Sequence, residues 1–172
     1  SDTARGDADA VLAYGPAAYT GSAPCARIGW SGFFDGCFGT PDSLPDASRI
    51  ESHEYPALYW ERDGARAPNG LAQPSGNRIF LAQDFAASTY FALSGHEERF
   101  AGRWDEHGRF AAADAFAVRA GLIERPFVDG YALRLAEAFR RLGLRLGSLP
   151  RWPDGACWAA LMTSDIDLPR RN

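Results

Sequence analysis

The sequence predicts a mixed α/β (α+β) fold, a small sheet packed against two or three helices. Three observations predict it. The first 80 residues carry short apolar runs broken by turn residues, the pattern of brief strands. Two later segments, near 84–97 and 126–142, repeat apolar residues at helical spacing. Finally, residues 157–163 (CWAALMT) form an unbroken apolar run, which reads as a strand buried on both faces, as in a parallel sheet. At 172 residues and 46% hydrophobic composition, the chain suits one ordinary domain, or one domain plus a fragment of another.

Taken in order, residues 11–14 (VLAY) read as a strand ended by the turn pair Gly15-Pro16, and residues 26–30 as a second. Aromatics alternate with turn residues through 32–39 (GFFDGCFG). Residues 55–60 read as a strand beginning at Pro56, a position that strands tolerate. The glycine- and proline-rich stretch 62–77 is an exposed loop or a hairpin tip, and residues 79–81 (IFL) are a further short apolar run. Asp84 stands where a helix N-cap belongs, ahead of Phe85, Thr89, Ala92, Leu93 and His96 at helical spacing. Tyr90 and Phe91 widen that apolar face. A charged loop, 102–110, precedes an alanine-rich helix over 112–120 that Gly121 stops. Pro126 opens the clearest helix, with Val128, Tyr131, Leu135, Phe139 and Leu142 on one stripe and Arg134, Glu137, Arg140 and Arg141 opposite. Gly143 closes it. A linker near 146–155 divides an α/β domain, 1–150, from a remnant, 151–172, that carries the last strand.

Composition excludes several function classes. There are 18 basic and 22 acidic residues, a net charge of −4, and every basic residue is arginine. No lysine is present for a Schiff base or a P-loop. The only arginine doublets are 140–141 and 170–171, too little for a phosphate-binding stripe, so the sequence points away from nucleic acid. No run approaches the ~18 apolar residues of a membrane span. The start, SDTARGDADA, lacks the basic and apolar regions of a secretory signal. With Cys25, Cys37 and Cys157 odd in number and no CxxC pair, the expectation is free thiols in a reducing cytoplasm, a Cys25–Cys37 bridge being the alternative.

The sharpest local motif follows the last apolar run. In an extended segment, residues two apart face one side, so Asp165 and Asp167 share a space at the carboxyl end of a strand. Active sites of barrels and open α/β folds lie there. Two carboxylates in that place can hold a metal, or bind a metal and move a proton. Spacing alone does not separate them from solvated turn residues.

Residues 159–167 (AALMTSDID) resemble the first motif of the polysaccharide deacetylases, carbohydrate esterase family 4, in which an apolar strand ends in Thr-x-Asp-Asp or Thr-x-Asp-x-Asp. Residues 85–100, 105–110 and 121–129 resemble an uncharacterised domain that precedes many bacterial deacetylase domains, and together these stretches cover about residues 79–168 in the expected order. The resemblance implies that 157–163 is the first strand of a (β/α) deacetylase barrel, Asp165 the catalytic base and Asp167 the ligand of a divalent metal, zinc or similar. The implied chemistry is metal-assisted hydrolysis of N-acetyl groups on a glycan substrate. That family completes its metal site with a downstream His-x-x-x-His. Here His53, His96 and His107 are the only histidines, and no two have that spacing. One carboxylate is a weak metal site, where three protein ligands are usual. The expectation is therefore an accessory domain that braces the barrel or shapes its groove, without cofactor or activity on this chain alone.

Other motifs fall short. His96-Glu97-Glu98 lacks the second histidine of HExxH, so Glu97 and Glu98 read as partners of the helix or of Arg99. His107 reads as a solvated loop histidine rather than a proton shuttle. Ser31, in Gly29-Trp30-Ser31-Gly32-Phe33, breaks the GxSxG elbow at its last position. Trp30, Phe33, Phe34, Phe38, Tyr59 and Trp60 suit core packing more cheaply than a sugar platform. Two alternatives remain: a stand-alone carbohydrate-binding or interaction domain, and a glycosidase using Asp165 and Asp167 at ~7 Å.

Overall fold

The computed structural model describes residues 9–47, 50, 56–62, 74–100, 102–147 and 149–163. Among them a parallel sheet runs in the order β1 (Val11–Ala13), β2 (Cys25–Ile28), β3 (Arg78–Leu81). Register pairs Ala26 with Ile79 and Ile28 with Leu81. Residues paired across a sheet share a face, so these four side chains project together, and all four are buried in the main core. Arg27 and Phe80 point the other way and are only half-buried. Pairing continues past β2, where the Gly29 N–H donates to the Gln83 carbonyl at 3.0 Å. A Cβ at Gly29 would lie 2.2 Å from the Ala82 oxygen, so only glycine allows this approach. At the start of β3, Ser75 and Arg78 exchange backbone hydrogen bonds around Gly76-Asn77, a tight turn within the expected hairpin tip.

Helix α1 (Phe85–Ser94) starts where the sequence places it, with Asp84 Oδ1 accepting the Ala87 N–H at 2.9 Å. It ends before His96, because Gly95 takes the left-handed conformation (φ 62°) and His96–Phe100 continues as a tighter turn. The alanine-rich segment is not one helix. A turn at Ala112–Asp114 is separated from α2 (Phe116–Arg119) by Ala115 in an extended conformation. Glu97 caps α2 from outside, its carboxylate accepting the Phe116 N–H at 2.7 Å. Helix α3 (Phe127–Arg141) buries Phe127, Gly130, Tyr131 and Ala138, and Phe85 stacks on Tyr131 at 4.8 Å. Its solvent side carries the Glu137–Arg141 pair, one helical turn apart.

Two expected strands are absent. Within 55–60, residues 56–60 are described and form no strand; Trp60 alone makes a bridge, to Gln83. The reason lies in the hydrogen bonds. Leu58 and Tyr59 N–H groups donate to Ser88 Oγ on α1 at 3.1 and 3.2 Å, and the Pro56 carbonyl accepts from Tyr131 Oη on α3 at 2.7 Å. Helix side chains thus take the backbone groups that a sheet neighbour would have taken. Residues 157–163 are irregular and exposed, not a buried parallel strand. A strand buried on both faces needs neighbours on both edges and both faces, and this run has none among the described residues.

Candidate functional site

Parallel strands deliver their following loops to one end of the sheet, and a cluster of polar side chains gathers there around one buried carboxylate. Tyr14 follows β1, Ser31 lies three residues beyond β2, and Asp84 lies three beyond β3. All three meet on one carboxylate. Asp84 Oδ2 accepts from Ser31 Oγ (2.6 Å), Ser31 N (2.8 Å) and Tyr14 Oη (3.1 Å), while Oδ1 caps α1. Asp84 is fully buried. Burial, then the charge of Asp84, pushes the Tyr14 phenol well above its usual range and keeps it a donor. The Ser31 proton is committed to Asp84 and its oxygen accepts the Phe33 N–H (3.3 Å). Beside this cluster, Glu61 accepts from the Trp30 N–H (2.6 Å) and pairs with Arg27 (2.9 Å).

A second polar group lies under an aromatic cap. Ser43 Oγ sits 2.6 Å from the Thr40 carbonyl and 2.7 Å from His96 Nε2. A carbonyl can only accept, so the hydroxyl proton goes to Thr40 and Nε2–H donates to Oγ. That assigns the tautomer and leaves Nδ1 bare, without a partner among the described residues. The Ser43 proton is thus not shared with the imidazole, and both residues are buried. This is a structural pair, not a nucleophile and base. Burial, with Arg99 adding to it, lowers the His96 pKa and favours the neutral ring. Phe38 stacks on His96 at 5.4 Å, and Phe33 meets it edge-on at 5.3 Å. Tyr59 Oη donates to the Ser43 carbonyl at 2.5 Å, and burial raises that phenol's pKa strongly.

Next to these groups opens a cleft of about 360 Å³ whose walls include Ser31, Phe33, Cys37, Asp42, Tyr59 and Trp60. It combines apolar rings with a hydroxyl and a carboxylate, the mixture that small-molecule clefts present. Of the six aromatics singled out by sequence, Phe33 is core, Trp30, Tyr59 and Trp60 are half-buried, and Phe34 and Phe38 are exposed. Phe34, Phe38 and Tyr90 pack against one another above Phe33, so a core cluster continues into a surface patch.

The other sequence candidates separate widely. Asp165, Asp167 and His53 lie outside the described residues. His107 is exposed beside Glu106, as a solvated histidine should be. Glu97 serves α2, and burial raises its pKa. Cys25, Cys37 and Cys157 are free thiols, buried, half-buried and exposed in turn. Among the described residues no three His, Cys, Asp or Glu side chains converge on a point that could hold a metal. Nor is any helix there long and apolar enough to cross a membrane. Sequence reasoning missed the Ser43–His96 pair and the inward side of Asp84. A capping aspartate is a local signal, but its second oxygen is claimed by Tyr14 and Ser31, distant in sequence.

Comparison with known proteins gives one family. Residues 39–143 match the model of a family of unknown function, DUF7033. No curated protein and no solved structure matches the chain.

Proposed function

The chain belongs to this family of unknown function, and from that premise we propose that it is a non-catalytic accessory domain preceding a polysaccharide deacetylase-type catalytic domain. The observation that carries the proposal is the uncovered apolar run at 157–163, where Trp158, Leu161 and Met162 stand in solvent. A contiguous apolar segment of that kind marks an interaction that this domain does not itself supply. Its resemblance to the first strand of a deacetylase barrel names the cover, the remaining strands of that barrel. In this reading Asp165 is the catalytic base and Asp167 a metal ligand of the adjoining domain. In the same reading, the hydrolysis of N-acetyl groups belongs to that domain. The commitment of Asp84, Ser31, Ser43 and His96 to structural hydrogen bonds supports a bracing role here.

The experiment is expression of the gene's complete reading frame and assay on chitooligosaccharides. Metal-dependent release of acetate, abolished by Asp165→Asn, is the expected result. A frame with no His-x-x-x-His beyond residue 172, or undiminished turnover by Asp165→Asn, sinks the reading.

The 360 Å³ cleft favours a second reading, a carbohydrate-binding domain acting without catalysis. Pyranose rings stack on aromatic faces, and the Asp42 carboxylate on the cleft wall is suited to their hydroxyls. Titration of this chain with the same oligosaccharides distinguishes the two. Saturable binding lost in Trp60→Ala supports the glycan cleft; its absence leaves the bracing role.

A further inference from the structure

The sheet face turned away from the helices is not bare. Register places Cys25 beside Arg78 and Arg27 beside Phe80 on that face. The chain leaving β1 folds across it, and between them lies a cavity of about 400 Å³ lined by Tyr19, Cys25, Arg27, Ser75, Arg78 and Phe80, among others. Small-molecule sites commonly measure about 300–1,000 Å³.

Its charge is unbalanced. Arg27 lies over the Phe80 ring at 4.8 Å and is matched by Glu61 at 2.9 Å. Arg78 lies over the Tyr19 ring at 5.7 Å and donates to the Gly21 carbonyl at 3.2 Å. It has no carboxylate partner among the described residues. Among the described residues, two guanidinium groups therefore face one acid. The Nε–H of Arg27 is buried and has no acceptor among the described residues, and a buried donor left unpaired is costly. An incoming anion would meet both needs, matching the second cation and offering an oxygen to the orphan N–H. The rest of the lining, Tyr19, Phe80 and the Cys25 thiol, suits an apolar body.

We propose that this cavity binds a small monocarboxylate with an apolar body, an aromatic or short aliphatic acid. The carboxylate lies against Arg78 and Arg27 and the apolar part against Tyr19 and Phe80. This site is separate from the cleft at the carboxyl ends of the strands, and it stands whether or not the accessory role does.

The test uses the chain as it is, titrated with benzoate, hexanoate and the neutral isostere benzamide, and followed by amide chemical shifts. Saturable benzoate or hexanoate binding with shifts at Tyr19, Ile79 and Phe80 is the expected result. Benzamide should bind about tenfold more weakly or worse, as should benzoate to Arg78→Gln, since each loses a charge-assisted contact. No saturable binding of either acid overturns the proposal. So does benzamide binding as tightly as benzoate, a comparison that needs no variant and stands even if Arg78→Gln fails to fold. Arg78→Gln that folds and binds benzoate unchanged overturns it too.

Discussion

Two apolar stretches of this chain have opposite surroundings. In β3, Ile79 and Leu81 are 2% and 3% exposed; near the end of the chain, Leu161 and Met162 are 88% and 97% exposed. Hydrophobicity does not distinguish them. What differs is the backbone's company. The peptide groups of β3 pair with β2, and the sheet's inner face then meets Phe85, Phe127 and Tyr131 from the helices. Residues 157–163 have no strand beside them among the described residues. An extended segment buries its side chains only where its N–H and C=O groups are also met, because burying unpaired peptide groups costs more than the apolar contacts return. The polar residues around β3 make the same point. Asp84 and Ser88 satisfy donors that would otherwise prevent the 56–59 segment and the loops after β1 and β2 from packing against α1.

That contrast can be broken or sharpened by substitution. Asp84→Ala should be the most damaging, about 3–5 kcal/mol in urea unfolding, because it strips an acceptor from the Ser31 and Ala87 amides and from two hydroxyls at once. A loss under about 1 kcal/mol would mean that the cluster is not what closes this end of the sheet. Ser88→Ala should follow at about 1–3 kcal/mol, since the buried Leu58 N–H and the half-buried Tyr59 N–H lose their acceptor. The same transition measured by urea decides it.

His96 gives the next effect, one that depends on pH. Its pKa is lowered in the fold from an ordinary 6.5, so the unfolded chain binds its proton more readily. Stability from this residue is then fully present above about pH 6.5–7 and declines as pH falls below that value. Glu97 has its pKa raised by burial and acts in the opposite sense. Thermal unfolding between pH 7.5 and 5.5, compared between the unsubstituted chain and His96→Gln, separates the histidine's share. The melting temperature should fall across that window, and less so in His96→Gln. Equal slopes for the two proteins would remove His96 as the cause. The smallest effect belongs to the exposed run. Leu161→Ser with Met162→Ser should leave the unfolding midpoint of this chain unchanged within error, whereas two core leucine-class truncations would cost about 2–5 kcal/mol each.

The parts of this fold that were legible in the sequence are the ones whose causes are local. Helix α3 announces itself through a stripe recurring every three or four residues, and α1 through a capping aspartate and a closing glycine. The strands at 11–13, 25–28 and 78–81 were visible as the short apolar runs 11–14, 26–30 and 79–81, but nothing local encodes their parallel order. The 55–60 segment misled because β-rich composition describes side chains, while its backbone partners, Ser88 and Tyr131, sit on helices far along the chain. The 112–120 segment misled for a smaller reason: alanine favours helix at every position, yet Ala115 is extended where Glu97 caps the next turn. At the candidate site, Trp60 and Tyr59 were legible as aromatics, and the Ser43–His96 contact was not, since serine in a turn carries no signal of what will reach it.

The convergence on Asp84 has a consequence for how the molecule opens. The Ser31 and Ala87 amides are held by the two oxygens of one buried carboxylate, the first in the loop after β2 and the second in the first turn of α1. Turning that carboxylate away frees both at once. In hydrogen–deuterium exchange these two amides should behave as a single cooperative unit, with matched protection and a shared response to denaturant. One side chain thereby couples the opening of a loop to that of a helix start.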